Sequence, residues 1–420
     1  MTTTKFGQLL VYFGSFLLGR GLLFGAPLLL ANLLPRADYG ALETALAVAS
    51  VAASTLSVGT GGIVPLVVLG HTQRTTLAGI TLHYLVVVSA CILFVAITWA
   101  ARLPAVWQLA AMLTAAVAMQ ALGSTYLKTL GRGEASILLD AGLFGLMTLA
   151  ALTASQLDPS QVASWVCLAA PAYGVVLLTA SASFIRGARW PEVARHWRAA
   201  MEMGLPLMLG GFVSLLAATS GRLGMGLLAD PVVVADYAVL ARAAALPIVA
   251  HQLILIARFR HLFTLPPADV ERATLQVVQL VALSALGFWL ASPWLGWLLG
   301  PAFTAAWVKY PLASIWIVAQ ATLWSAIALN DLVISRHQVM ARILPASAAF
   351  MALAMLLGWL LLTRIGASLD HFVYVHGTVM LLFYLVQSAA MLAAGVHLWQ
   401  TWLFAGGAYV SMICAAAVLV

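Results

Sequence analysis

Two arginines stand where hydrocarbon is expected. Arg20 interrupts the apolar run FLLGRGLLFG, and Arg222 lies in TSGRLGMG. A cation at the centre of a bilayer costs about 2.5–3.5 kcal/mol on insertion scales, so such residues face a cavity or a partner. Their forked donors match phosphate oxygens, and two of them on one cleft suit a pyrophosphate better than a generic polar pore does. The competing reading of each is an arginine paired with an acid inside its own bundle, or one that snorkels to an interface.

A second set of charges sits nearer the ends of apolar runs. Glu43 and Arg242 carry opposite charges at positions 199 residues apart. They read either as the two sides of an outer gate or as separate solvated positions at its mouth. Asp140, and Asp331 beside Asn330, are the remaining acids close to membrane depth. Either could hold a coupling Na+ or proton, and Asp140, a turn and a half after Glu134, also reads as a wet interfacial carboxylate. His83, His251 and His376 occupy different runs with no i, i+4 partner, and Cys91, Cys167 and Cys414 show no C-x-x-C spacing. No metal or other cofactor is expected from them, and the cysteines read as small hydrophobes.

The elements that carry these residues follow from composition. Of 420 residues, 63% are apolar and 8% charged, with a mean hydropathy of +1.03, against roughly a quarter charged in soluble domains. A spanning helix takes about 20 residues, and lipid leaves its backbone no partner outside the helix. Apolar runs place spans near 9–34, 40–69, 77–100, 106–127, 135–155, 162–185, 203–229, 232–257, 273–299, 312–333, 343–363, 372–396 and 401–420. The short gaps leave no room for a sizeable extramembrane domain, which excludes enzymes that need a soluble catalytic module. The run from Leu9 follows a lone Lys5 and is too long for a signal-peptide core, so it reads as the first span.

The net charge of +7 lies mostly in loops and reads as a topology signal rather than a nucleic-acid surface. Thirteen lysines and arginines, Arg74, Lys128, Arg258 and Arg260 among them, fall on the side of the N-terminus; Arg36, Arg102, Lys309 and Arg364 fall on the other. That asymmetry predicts a cytoplasmic N-terminus. The polar stretch RGARWPEVARHWRAAME at residues 186–202 reads as a cytoplasmic amphipathic linker. It is either an interfacial helix on an anionic leaflet or a solvated loop.

Leu30–Ala47, LANLLPRADYGALETALA, aligns without a gap with Leu228–Ala245, LADPVVVADYAVLARAAA, at an offset of 198. The shared A-D-Y triplets follow the first span of each six-span half, as in transporters built from parallel repeats. The prediction is an all-α polytopic membrane protein. Two six-helix lobes, residues 1–185 and 203–396, stand in pseudo-twofold repeat around a central cavity, and an additional transmembrane helix occupies 397–420. Asp38 and Asp236 read as N-caps of the following spans, with Tyr39 and Tyr237 at the outer interface. Pro27, Pro65, Pro171, Pro206 and Pro247 read as kinks, and Gly14, Gly21 and Gly25 as a close-packing face of the first span.

The chain resembles the multidrug/oligosaccharidyl-lipid/polysaccharide (MOP) exporters, specifically the Wzx-type polysaccharide flippases. The resemblance is carried by LLPRADYGALETALAVAS, by its echo LLADPVVVADYAVLARAAALP, and by LLGPAFTAAW, whose Gly300 and Phe303 form a G-x-x-F turn. Ala238 stands in the second copy where the first has Gly40. The resemblance implies a MATE-like fold, no chemical step, and a bacterial cytoplasmic (inner) membrane location. The implied activity flips an undecaprenyl-pyrophosphate-linked oligosaccharide from the cytoplasmic to the periplasmic leaflet by alternating access during surface polysaccharide biosynthesis. Implied partners are that lipid-linked oligosaccharide, membrane lipid, a polysaccharide polymerase and chain-length proteins, with no nucleic acid. Two other classes stay open. A multidrug or cation-coupled exporter of the same superfamily would want buried carboxylates in its cavity. A membrane-embedded oligosaccharide polymerase or glycosyltransferase would want a long outer loop.

Overall fold

The computed structural model describes residues 3–181, 190–249, 251, 267–337 and 339–419. All regular elements among them are helical. Among the described residues twelve helices are long and apolar enough to cross a membrane, thirteen if the pair Trp190–Leu209 and Gly211–Ala217, bent by 52°, counts as one span. The chain forms two compact units, Met1–Phe212 and Val213–Val420.

The first unit contains α1 (Thr3–Leu33), α2 (Arg36–Leu56), the short α3 (Val64–Val68), α4 (Leu77–Ala100), α5 (Ala105–Thr129), α6 (Gly133–Leu157) and α7 (Val162–Ser181). It also holds the first half of α8 (Trp190–Leu228). α5 is its hub, packed on α2, α4, α6 and α7, while α1 lies along α6. The glycine that lets α1 approach α6 is Gly19, where a Cβ would strike Ile137. Gly14, Gly21 and Gly25 have open space beside them instead. The 3.6-residue period explains this correction: Phe16, Gly19 and Ala26 share the buried face of α1, and the other three glycines lie opposite.

The second expected span is shorter than its apolar run. α2 stops at Leu56, and the chain turns through Val58 (φ 48°) and Gly59 (φ 66°) before α3. That turn is seated on α8, because a Cβ at Gly59 would meet the Gly204 carbonyl and a Cβ at Gly204 would meet the Val58 carbonyl. Pro65 therefore opens α3 rather than kinking a longer helix.

α8 begins at Trp190, so residues 190–202 of the expected linker are helical and lead into the seventh span through the 52° bend between Leu209 and Gly211; residues 186–189 lie outside the described residues. Thr75 Oγ1 donates to the His196 carbonyl at 2.7 Å, and Trp197 Nε1 donates to His83 Nδ1 at 3.3 Å. An indole only donates, so His83 Nδ1 accepts, and the proton on Nε2 goes to the Leu56 carbonyl at 2.7 Å. Neutral His83 thus joins the broken end of α2 to the linker helix. Trp190, Arg195 and Arg198 remain exposed.

The second unit contains the rest of α8, α9 (Pro231–Ala244), α10 (Pro267–Leu299), the short α11 (Pro301–Lys309), α12 (Pro311–His337), α13 (Met340–Ile365), α14 (Leu369–Ala393) and α15 (Trp399–Leu419). Its axis is α12, whose span is 72% buried, whereas α13 is only 22% buried and lies on α14 at the outside. The C-terminal helix is an integral member of this unit, packed on α10 and α12. Its N-terminus is held by Glu271 Oε1, which accepts from the Gln400 amide at 2.7 Å. The eighth expected span is described as far as Val249, and residues 252–257 of it lie outside the described residues.

Candidate functional site

Arg20 is half-buried on α1, with its guanidinium 5.5 Å from the centre of the Phe16 ring one turn earlier. The ring's electron-rich face supports the cation where water is scarce. Arg222 is half-buried on α8, within electrostatic reach of the Tyr237 hydroxyl. That hydroxyl presses on Gly221, where a Cβ would have no room. The two arginines stand on the first spans of different units.

The acids near membrane depth are each engaged within their own unit. Glu43 is fully buried in α2 and accepts from the Tyr39 hydroxyl at 3.0 Å. Asp140 on α6 pairs with Lys128 of α5 at 3.1 Å in a partly exposed position, and so has the character of a wet interfacial carboxylate. Asp331 Oδ1 accepts from Gln387 Nε2 at 2.9 Å. Gln387 Oε1 in turn accepts from Asn330 Nδ2 at 3.0 Å, and Asn330 Oδ1 from Trp402 Nε1 at 3.2 Å. This chain ties α12 to α14 and α15. Arg242, half-buried, occupies the last turn of α9, where a cation suits the helix dipole.

The repeated triplet departs from its expected roles. Pro35 precedes α2 with no side-chain cap, and Asp38 sits exposed in its first turn. In the second copy the cap is Asp230, which accepts from the Val232 amide at 2.9 Å. Asp236 lies inside α9, buried, and accepts from Lys309 Nζ of α11 at 3.2 Å. Tyr39 and Tyr237 are buried within the helix packing. Asp38 stands three residues past Pro35, where α2 begins, and Asp236 six residues past the cap Asp230, so neither triplet starts a helix. Tyr310 beside Lys309, and then Asp236, hold the ammonium above the usual lysine range.

His376 Nδ1 lies 3.1 Å from Gln320 Oε1 and its Nε2 2.9 Å from Ser220 Oγ, so it is a bonded histidine joining α14, α12 and α8. His251 is buried edge-on to Trp324. Among the described residues no three His, Cys, Asp or Glu side chains are grouped to hold a metal ion. The three cysteines are free thiols. Gln387 and Trp402 escaped the sequence reading because a lone Gln and Trp in apolar runs carry no spacing signal.

A cavity of about 440 Å³ lies within the second unit between α8, α13 and α14. Its walls include Leu223, Met351, Met355, Phe372 and Met380, together with Ser220 and His376.

Two solved structures share this fold. One is the inward-facing conformation of a multidrug resistance MATE family transporter of the MOP superfamily, matched over 98% of this chain and 99% of that one, with TM-score 0.54 and 13% identity. The other is the eukaryotic MATE transporter AtDTX14, matched over 97% of both chains, with TM-score 0.51 and 15% identity. No family model matches the sequence, and no curated protein matches it. The protein therefore has the all-helical fold of MATE transporters.

Proposed function

We propose that the protein is an exporter of the MOP type that flips a lipid-linked oligosaccharide bearing a pyrophosphate, from the cytoplasmic to the periplasmic leaflet of a bacterial inner membrane. The observation that carries this reading is the position of two cations: a half-buried arginine, Arg20 in one and Arg222 in the other, stands within the apolar first span of each unit. Guanidinium groups at membrane depth favour an anionic cargo over a cationic one. The forked donors of Arg20 and Arg222 would hold the pyrophosphate while the sugar crosses, and no bond is made or broken in the cargo. Glu43 and Arg242 would act as an outer gate, and Asp140 or Asp331 would hold a coupling Na+ or proton.

A second reading, multidrug export, is favoured by the activity named for one of the solved neighbours and by the methionine-rich cavity. Reconstituted protein decides between them. Vesicles carrying a fluorescent undecaprenyl-pyrophosphate oligosaccharide should show accelerated flipping that Arg20→Ala and Arg222→Ala abolish. Efflux of a cationic dye with no flipping would favour the multidrug reading.

A further inference from the structure

We propose that His83 is a proton-operated latch on the linker helix: a proton taken up at Nδ1 breaks its bond to Trp197 and loosens residues 190–202 from α2 and α4. The tautomer fixes this behaviour. The Trp197 indole only donates, so His83 Nδ1 accepts from it, at 3.3 Å. The ring proton therefore sits on Nε2 and goes to the Leu56 carbonyl at 2.7 Å. That carbonyl belongs to the last residue of α2, where no helical amide follows to take it. A second proton can enter the ring only at Nδ1, where it meets the indole N–H. The bond to Leu56 survives the change, and the bond to Trp197 does not.

The neighbouring contacts of this helix do not respond to a proton. Thr75 Oγ1 donates to the His196 carbonyl at 2.7 Å, and neither group titrates. His196 Nδ1 faces the Arg74 carbonyl at 3.1 Å. A carbonyl only accepts, so that nitrogen donates whether the ring is neutral or charged. Gly79 lets the first turn of α4 approach the backbone of α8, since a Cβ there would stand 2.8 Å from the His196 carbonyl carbon and 2.9 Å from the Trp197 nitrogen. Of these contacts, the one from Trp197 to His83 alone changes with protonation.

The surroundings offer the charged ring no counter-ion. On α4 itself Tyr84 meets the ring edge-on, with 6.1 Å between centroids, and its hydroxyl bonds to Ser57 and Thr60. Residues 44–70, which hold most of α2, the turn and α3, contain no charged side chain. The loop before α4 brings Arg74, which is exposed. α8 brings His196, the exposed Glu192 and Arg195, and Arg198 paired with Glu202 at 3.0 Å. α5 brings Lys128, paired with Asp140 of α6 at 3.1 Å. Among the described residues no carboxylate bonds to His83. The half-buried indole therefore gives way, swinging off an imidazolium that it cannot satisfy.

The test is amide hydrogen exchange of the full-length protein in vesicles of phosphatidylethanolamine and phosphatidylglycerol. Exchange is read at about pH 8 and about pH 4.5, on either side of the ordinary histidine value, and expressed as protection relative to the unfolded chain at the same pH. In the wild type, residues 190–202 should lose protection by about tenfold at the acid pH, the scale of one hydrogen bond. His83→Gln, whose amide can accept from the indole and donate to the Leu56 carbonyl, should keep its protection at both. Trp197→Phe should be weakly protected at both, with no acid response left. Thr75→Ala should lower protection at both while keeping the acid response. Equal wild-type protection at the two pH values overturns the latch. So does an acid loss that persists in Trp197→Phe, a variant that tests the idea even where His83→Gln fails to fold.

Discussion

Asp236, buried on α9, is held by Lys309 of the short helix α11 at 3.2 Å, whereas its repeat counterpart Asp38 is exposed. The same triplet has been put to two uses. In the second unit it fastens the short helix α11 to a spanning one, and Lys309 lies 4.8 Å over the Tyr310 ring as well. Lys309→Ala should lower stability by about 1–2 kcal/mol, the lower part of the range for charged hydrogen bonds because Lys309 is half exposed. Lys309→Arg should recover most of the loss. Thermal unfolding of the detergent-solubilised protein measures both.

The same pair has a defined pH window. Because Lys309 binds its proton more tightly folded than unfolded, its contribution is complete below the unfolded value, about 10.4, and fades as pH rises through the raised folded value. The difference in melting temperature between wild type and Lys309→Ala should stay constant from about pH 6 to about pH 9 and shrink only above about pH 10.4. A difference that shrinks near neutrality would exclude the lysine as its source.

Asn330 is the middle of the chain linking Trp402 to Gln387 and Asp331. Asn330→Ala leaves the indole N–H and the Gln387 carbonyl unpaired in the core, at a cost of about 2–4 kcal/mol. A double-mutant cycle with Gln387→Ala should give a coupling energy above about 0.5 kcal/mol. Simple additivity would mean that the two residues act separately.

Glu43 and Arg242, if they form an outer gate, should tolerate exchange better than single reversal. Transport by Glu43→Arg with Arg242→Glu should exceed that of either single variant; equal loss in all three removes the gate. Tyr39→Phe separates the local role, since losing the donor to a buried carboxylate should lower stability by about 1–3 kcal/mol in either case.

How much of this was legible in the sequence depended on the range of the physics involved. Span positions were readable because hydropathy is a local property: among the described residues each expected span holds a helix, the second ending early at Leu56. Arg20 and Arg222 were recognisable for the same reason: a charge within an apolar run is anomalous without any knowledge of its neighbours. The roles of Asp38 and Asp236 were misread because a cap depends on where a helix begins, and Pro35 and Asp230 set those starts. The glycines that matter, Gly19, Gly59 and Gly204, were invisible as such, because a close approach is defined by the element on the other side. The same holds for Trp197 and His83, whose hydrogen bond fastens the linker helix to α4.

We propose that arginines on the first spans of the two units carry an anionic, lipid-linked headgroup across the membrane. The most direct measurement is the flipping rate of undecaprenyl-pyrophosphate oligosaccharide in proteoliposomes holding equal amounts of wild type, Arg20→Ala, Arg222→Ala and the double variant. Rapid flipping by wild type and background rates for the variants are expected, with all four proteins equally folded. Wild-type flipping by the double variant would contradict it.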